Sequence, residues 1–417
     1  MKLLYISYFS IREPLVETQV ISYLTQLVKA GHQIWFITFE PGWPNSWSPE
    51  EVEKKRQELA DRGIAWSALK YHKRPSLPAT MWDIAVGAWT ARKLAKKHRI
   101  EVFHGRAHVA SAMCALARWR RPQKMIFDIR GFNPEENVDA GRWKAGGLKY
   151  RLMKRAERAI LKVADGFVIL TDAGRALMFP DAISLGIEGM WQLPDGRPIE
   201  VIPCCVALSR FQEGQQLTRQ AAKERLGLTG RKIIAYVGAL GGWYMTEDMV
   251  RIWTSAKRRD PEAFALIFTQ SPQNELAEML KKAGLNENSD FQISRVSPKE
   301  LAINLRAADV ALSLIRPSYS KISSSPTKLA EYLAAGLVVI STSGIGDCNL
   351  HLKIHDVGVI LDHIDETSID KSIDEAFHKA KEVDIETRCF DTVKTLFDLE
   401  NVGGKRYRRL YERLFTQ

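Results

Sequence analysis

Short apolar runs alternate with longer stretches of helical periodicity along the first half of the chain. "KLLYIS" at residues 2–7 reads as a buried strand, and "LVETQVISYLTQLVKAGH" after it spaces its apolar residues three and four apart, as an amphipathic helix ending at Gly31 does. "QIWFITF", "IAWSALK", "EVFHG", "KMIFDIRG" and "GFVILT" continue the strand series, with helical patterns over 80–98, 107–119 and 148–163. After "VIPCCVALSRF" the rhythm restarts. "KIIAYVG", "AFALIFT", "DVALSLI" and "VVIST" read as strands, and 246–258, 272–283, 297–308 and 326–335 as helices. Such alternation predicts right-handed βαβ crossovers and parallel sheets covered on both faces.

Two series within 417 residues predict two α/β domains, because a single core rarely grows to that size. The expected division is 1–203 and 204–395, crossing at the Pro203 segment, with 396–417 forming a C-terminal helix that returns to the first domain. Ligands of open parallel sheets bind beyond the carboxyl ends of the strands. The function is therefore expected in the cleft that two such domains would leave between them.

Composition narrows the class without choosing it. Hydrophobic residues make up 45% and charged residues 26%, an ordinary globular balance. Cys114, Cys204, Cys205, Cys348 and Cys389 are odd in number and form no C-x-x-C pair, which fits a reducing cytoplasm. Residues 1–9 lack the basic leader and cleavage site of a signal peptide, and no window reaches the length of a membrane span. The expected setting is cytoplasmic, with the inner face of the cell membrane as the peripheral alternative.

A net charge of +11 calls for an anionic partner: nucleic acid, a lipid surface or a phosphorylated small molecule. No helix-turn-helix, RNA-binding aromatic motif or finger spacing is found, so no nucleic acid is expected. "TARKLAKKHR", "ARWRRPQK" and "GLKYRLMKRAERAILK" set bases beside aromatic and aliphatic residues. They suit an anionic leaflet, where each base contributes roughly 1 kcal/mol, and equally suit ordinary exposed helix faces.

The segment "KISSSPTKLAEYLAAGLVVIST", residues 321–342, carries the strongest chemistry. A helix starting near Pro326 presents unpaired N–H groups and the positive end of its dipole. Ser323, Ser324, Ser325 and Thr327 add hydroxyls and Lys328 a full charge, a collection matched to phosphate. Glu331 lies one turn on, on the same face, where it could accept from sugar hydroxyls. The plain alternative is a serine cap with a surface Glu–Lys pair.

In "FDIRGFNPEENVDAG", Asp128 and Arg130 fall at a strand end, where side chains reach a cleft. They are the catalytic candidates, against the alternative of an Asp–Arg pair that orders the following loop. Glu135, Glu136, His104 and His108 are weaker candidates, and their spacing makes no metal site. No D-x-D pair occurs, so a metal-bridged diphosphate is not suggested. Neither domain opens with G-x-G-x-x-G, against a dinucleotide oxidoreductase.

"SSSPTKLAEYLAAGLVVIST" resembles the donor-binding helix of the retaining, nucleotide-sugar-dependent glycosyltransferases of the GT-B fold, family 4 and group 1 in type. "RAADVALSLI" is similar to that family's preceding strand, "VIPCCVALSRF" to its interdomain linker, "YVGAL" to the opening of its second domain and "IGDCNLHLKIHDVGVIL" to its closing segment. The likeness runs in order over most of 201–361. It implies two facing Rossmann-like domains and sugar transfer from a nucleotide diphosphate to a saccharide or lipid-linked acceptor. Retention of configuration, a metal-independent hexosyltransferase without cofactor, and a place in cell-envelope or exopolysaccharide synthesis are implied with it. Gly238, Arg316, Lys321, Ser325, Pro326, Thr327, Lys328 and Glu331 are the implied donor-binding residues, and Asp128 or Arg130 stands near a histidine of relatives.

Four positions depart from the family pattern. A second acid expected eight residues before Glu331 is Ser323, and the usual Asn-Gly-Val-Asp linker reads Cys204, Cys205, Val206 and Ala207. The Arg and Lys that relatives carry after "YVGAL" are replaced by "GGWYMTED", leaving Arg316, Lys321 and Lys328 as the nearest bases. The glycine pair after the first strand is replaced by "SIREPLVETQ", with Arg12 in the loop. A non-catalytic sugar-nucleotide or polysaccharide binder, or a sugar-nucleotide epimerase of the same fold, is the competing reading.

Overall fold

The structure, a computed structural model, describes residues 1–416. The chain forms two units, one of Met1–Pro203 with the segment from Leu399 onward, the other of Cys204–Asp398. Residues 396–398 stay with the second unit, where the N–H of Val206 donates to the Phe397 carbonyl at 2.8 Å.

The first unit is built on β1 (Lys2–Ser7), β2 (Gln33–Pro41), β3 (Ile64–Tyr71), β4 (Val102–Arg106), β5 (Lys124–Ile129), β6 (Gly166–Ile169), β7 (Ile183–Ser184), β8 (Met190–Gln192) and β9 (Pro198–Val201). Their order is β3-β2-β1-β4-β5-β6-β9-β8-β7. Pairing is parallel from β3 to β9, and antiparallel where β8 and β7 extend the edge. The wholly parallel expectation fails there because only a short loop with Gly186 and Gly189 at positive φ joins β7 to β8, too short for a crossover. The central strands are buried along nearly their whole length, so both faces are covered. Register sets Tyr5 of β1 beside His104 of β4, and Arg106 of β4 beside Asp128 of β5.

The helices of this unit include α1 (Ser22–Lys29), α2 (Pro49–Asp61), α3 (Ser76–His98), α4 (Ala107–Arg118) and α5 (Leu148–Val163). α2 starts on a capping box in which Ser48 and Glu51 satisfy each other's backbone N–H groups, with Pro49 in the first turn.

The second unit holds β10 (Lys232–Val237), β11 (Ala263–Phe268), β12 (Phe291–Ser294), β13 (Val310–Ser313), β14 (Val338–Thr342) and β15 (Gly358–Leu361) in the order β12-β11-β10-β13-β14-β15, all parallel. α6 (Thr246–Arg259) and α7 (Thr327–Ala334) are its helices of interest, and α8 (Lys405–Arg413) belongs to the first unit. Pro326 caps α7 in extended geometry, φ −66° and ψ 122°. The core is one continuous cluster of Ile, Leu, Val, Phe and Ala side chains from the sheet and its helices. All five cysteines are free thiols and buried.

Candidate functional site

Among the parallel strands of each sheet the order reverses at one point, between β1 and β4 and between β10 and β13. Chain connections diverge there to opposite faces and leave a crevice at the carboxyl ends of the strands.

Gly238 follows β10 at that point in the second unit, with φ +136°, and its N–H donates to the Phe268 carbonyl at 3.0 Å. The loop that follows lies along the segment leaving β13: Tyr244 bridges Ile315, and the Arg316 N–H donates to the Trp243 carbonyl at 2.9 Å. Two bases flank the Trp243 ring, the Arg316 guanidinium 5.1 Å and the Lys321 ammonium 4.0 Å from its centroid.

Lys328, in the first turn of α7, extends its ammonium between two more rings, 4.2 Å from the centroids of both Tyr236 and Tyr244. It is 5% exposed, and Nζ has no hydrogen-bond partner. A Cβ on Gly238 would come within 2.9 Å of this nitrogen and press on the lysine head, and the φ of +136° itself favours glycine there. Burial pushes the Lys328 ammonium down to about 7, and Glu331 opposes the fall. Two cation–π contacts offer about 1–4 kcal/mol together, while stripping water from an ammonium costs several more. A buried cation left in that imbalance is one that a neighbouring anion would stabilise.

The scaffold around it is rigid. Tyr332 of α7 accepts from the Val237 N–H at 2.8 Å and donates to the Leu312 carbonyl at 3.0 Å, tying the helix to β10 and β13. The Tyr236 hydroxyl donates to the Ala239 carbonyl and fixes the turn after Gly238. Glu331, one turn past Lys328, lies 3.5 Å from the Arg210 guanidinium; burial raises its carboxyl above the ordinary range, with Arg210 and Lys328 working against the rise.

The serines behave differently from the open hydroxyls expected of them. Ser323 is fully buried and donates inward to the Ser320 carbonyl at 2.9 Å, and Ser325 accepts from the Cys204 N–H at 3.0 Å, keeping only its own proton to give. The surroundings thus join Gly238 to Lys328, and Arg316 to Lys321 through Trp243, while Ser325 faces the linker and Pro326 and Thr327 stay partly exposed at the helix start. Tyr236, Trp243 and Tyr244 were not anticipated. Their signal is the pair of aromatic groups bracketing the glycines of "YVGALGGWY".

The first unit places Asp128 away from open space. It is 0% exposed and accepts from the hydroxyls of Tyr5 and Tyr407, each at 3.2 Å. His104 and Arg106 approach Oδ2 at 3.6 Å and Arg130 approaches Oδ1 at 3.5 Å. Burial alone would raise this carboxyl, but Arg130, His104 and Arg106 hold it well below the usual carboxylate range. The cleft-facing orientation expected of Asp128 is corrected here: it precedes the strand end and points to the face that α8 covers. Tyr411 of α8 meets His104 Nδ1 at 2.6 Å, and burial lowers the pKa of that imidazole. Arg130 lies just past the strand, 11% exposed. His108 is committed to Glu157 at 2.9 Å and Glu135 to Lys154 at 3.1 Å. Arg12 rests 3.7 Å over the Trp47 ring and pairs with Glu51 at 3.2 Å, a surface arrangement. Among the described residues no group of three His, Cys, Asp or Glu is placed to hold a metal ion.

Comparison with known proteins gives these sites a family. A glycosyl transferase 4-like domain model matches residues 16–181, and a glycosyl transferases group 1 model matches 218–387. No curated protein sequence matches the chain. Among solved structures, a glycosyltransferase from Rickettsia africae ESF-5 is similar at TM-score 0.71 and 18% identity, covering 100% of this chain and 99% of the other. Sucrose-phosphate synthase from Thermosynechococcus elongatus follows at 0.71 and 16%, covering 99% of each. HepE from Anabaena, solved with UDP and glucose, gives 0.68 and 12%, covering 99% of this chain and 100% of its own. The two matched domains, in this order and on these sheets, identify the chain as a glycosyltransferase that belongs to the group 1 family of the GT-B fold.

Proposed function

We propose that the chain transfers a hexose from a nucleotide-diphosphate sugar to a saccharide or lipid-linked acceptor with retention of configuration, in cell-envelope or exopolysaccharide synthesis. The observation that carries the donor half is Lys328, a buried ammonium without a hydrogen-bond partner at the reversal point of the second sheet. A diphosphate seated there would accept from Nζ and from the backbone N–H groups of Thr327 and Lys328 at the start of α7. Arg316 and Lys321 add charge, taking the role of the bases missing from the glycine loop, and Glu331 accepts from hydroxyls of the donor. Gly238 lets the phosphates approach the backbone. Ser325, Pro326 and Thr327 shape the helix mouth.

As the glycosidic bond breaks, its electron pair goes to the diphosphate oxygen and the anomeric carbon takes on oxocarbenium character. Fixed positive charge at the departing oxygen stabilises that state more than the ground state, which is how it speeds the step. The acceptor hydroxyl then bonds to carbon on the face the diphosphate has left, and its proton passes to a phosphate oxygen. No metal is needed in this scheme, because Lys328 and the helix end supply the charge. In the first unit, Asp128 is assigned a positioning role that aims Arg130, and Arg130 is assigned to substrate.

A thermal-shift screen with UDP, GDP, ADP and their sugars tests the reading, since a ligand bound only by the folded state raises Tm. UDP comes first, as the nucleotide held by HepE. Lys328→Ala and Glu331→Ala should each abolish the shift with the fold intact. Full retention in both would refute the site. The inward-turned Ser323, where relatives carry an acid, favours a non-catalytic binder as the second reading. Release of nucleotide diphosphate only when acceptor is present separates transfer from mere binding and from epimerisation.

A further inference from the structure

Three tryptophans stand out of the first unit into solvent: Trp82 at 61% exposure, Trp89 at 65% and Trp119 at 66%. Monomeric proteins rarely leave such rings bare side by side. Trp82 and Trp89 are seven residues apart on α3 and so share its outward face, with Met81 at 63% beside them. Along the same line the helix turns cationic, through Lys93 and Lys96, and the Lys93 ammonium lies 5.5 Å from the Trp89 ring. Arg92 reaches across to the end of α4, donating to the carbonyls of Ala117 at 3.0 Å and Trp119 at 3.2 Å. That contact joins Trp119, Arg120 and Arg121 to the α3 face. The one acid in α3, Asp83, is buried and accepts from the Tyr8 hydroxyl at 2.7 Å. α5, packed on the far side of α4, continues with five exposed bases and a single acid, the buried Glu157.

We propose that the outward face of α3 with the Trp119 corner is a docking surface for an anionic lipid leaflet. The division of the face, apolar at one end and basic at the other, decides the occupant. Tryptophan rings and Met81 suit the boundary between headgroups and acyl chains, and lysines one or two turns away meet anionic headgroups. Nucleic acid offers no counterpart to the base-free apolar end. A second copy of the chain would set like charge against like charge. Contact is superficial, since among the described residues no helix is long and apolar enough to cross a membrane.

α3 runs from the end of β3 back to the start of β4, so its apolar end lies at the carboxyl edge of the sheet, next to Tyr8, which follows β1. A lipid surface held there would present membrane-borne acceptors to the edge where a parallel sheet takes its ligands. The docking surface itself does not depend on the sugar-transfer reading.

The test is flotation of the full chain with vesicles of phosphatidylcholine containing anionic phosphatidylglycerol, at about 0.1 M salt. Binding is expected to the anionic vesicles and to fall at least about tenfold in Lys93→Glu with Lys96→Glu. Trp82→Ala with Trp89→Ala should weaken it about as much, and should abolish the blue shift of tryptophan emission on binding. Lys353→Glu with Lys371→Glu, exposed bases of the second unit, is the charge-matched control and should leave binding within about twofold. An equal loss in the control, unchanged binding in both α3 variants, or tighter binding to duplex DNA than to vesicles would overturn the proposal. Each α3 variant is checked for the UDP thermal shift, which reports the donor site separately and confirms folding.

Discussion

Lys328 sets two demands against each other. A folded-state pKa near 7, against about 10.4 for an unfolded lysine, means that the unfolded chain binds more protons between those values. Stability of the free protein should therefore rise with pH across that window, and below it the folded state carries the full cost of a buried charge. Lys328→Met, similar in shape and uncharged, should raise Tm by several degrees at about pH 6 while abolishing the UDP shift. A diphosphate restores the proton. Donor affinity should thus fall by up to about tenfold per pH unit above about 7, and calorimetry in buffers of different ionisation enthalpy should show proton uptake near pH 8. Flat affinity from pH 6 to 9 would contradict the assignment. The lysine itself was legible, as a base beside a phosphate-matched helix start. Its depth was not, because Tyr236 and Tyr244 read as a strand residue and a turn residue until the sheet brings them together.

At the scale of elements, what decides legibility is whether an element buries one continuous face. β1, β4, β5, β10, β11 and β13 are buried along nearly their whole length and each carries an apolar run that is visible at once. α2 buries only Leu59, so its sequence carries no stripe, and its capping box was the signal that periodicity could not supply. β12 is four residues long at a sheet edge with a single buried side chain, too little for a pattern. α8 shows another limit. Its basic residues dominate the sequence and give no hint that Tyr407 and Tyr411 carry hydroxyls to Asp128 and His104. Asp128→Asn should destabilise the first unit by about 3–5 kcal/mol in urea unfolding, because Arg106 and Arg130 lose their counter-charge. Tyr411→Phe should cost about 1–3 kcal/mol, the penalty for an unmet buried imidazole nitrogen. Equal, negligible losses in both would mean that water satisfies the cluster.

For the whole molecule, the division follows the chain out of the first unit at Pro203 and back into it at Leu399. Each unit owns its core and its sheet. Deleting 399–417 should therefore unfold the first unit and spare the second: calorimetry should lose one transition and keep another that UDP still shifts upward. Loss of both transitions would show that the units fold as one. The path of the chain also sets an order of events on the ribosome. Tyr407 and Tyr411, which close over Asp128 and His104, are made only after the entire second unit, so the unit that begins first is finished last. A nascent chain interrupted in between would hold a complete second unit and, in the first, an open, water-filled charge cluster, and chaperone capture or proteolysis of such chains should focus on their amino-terminal half.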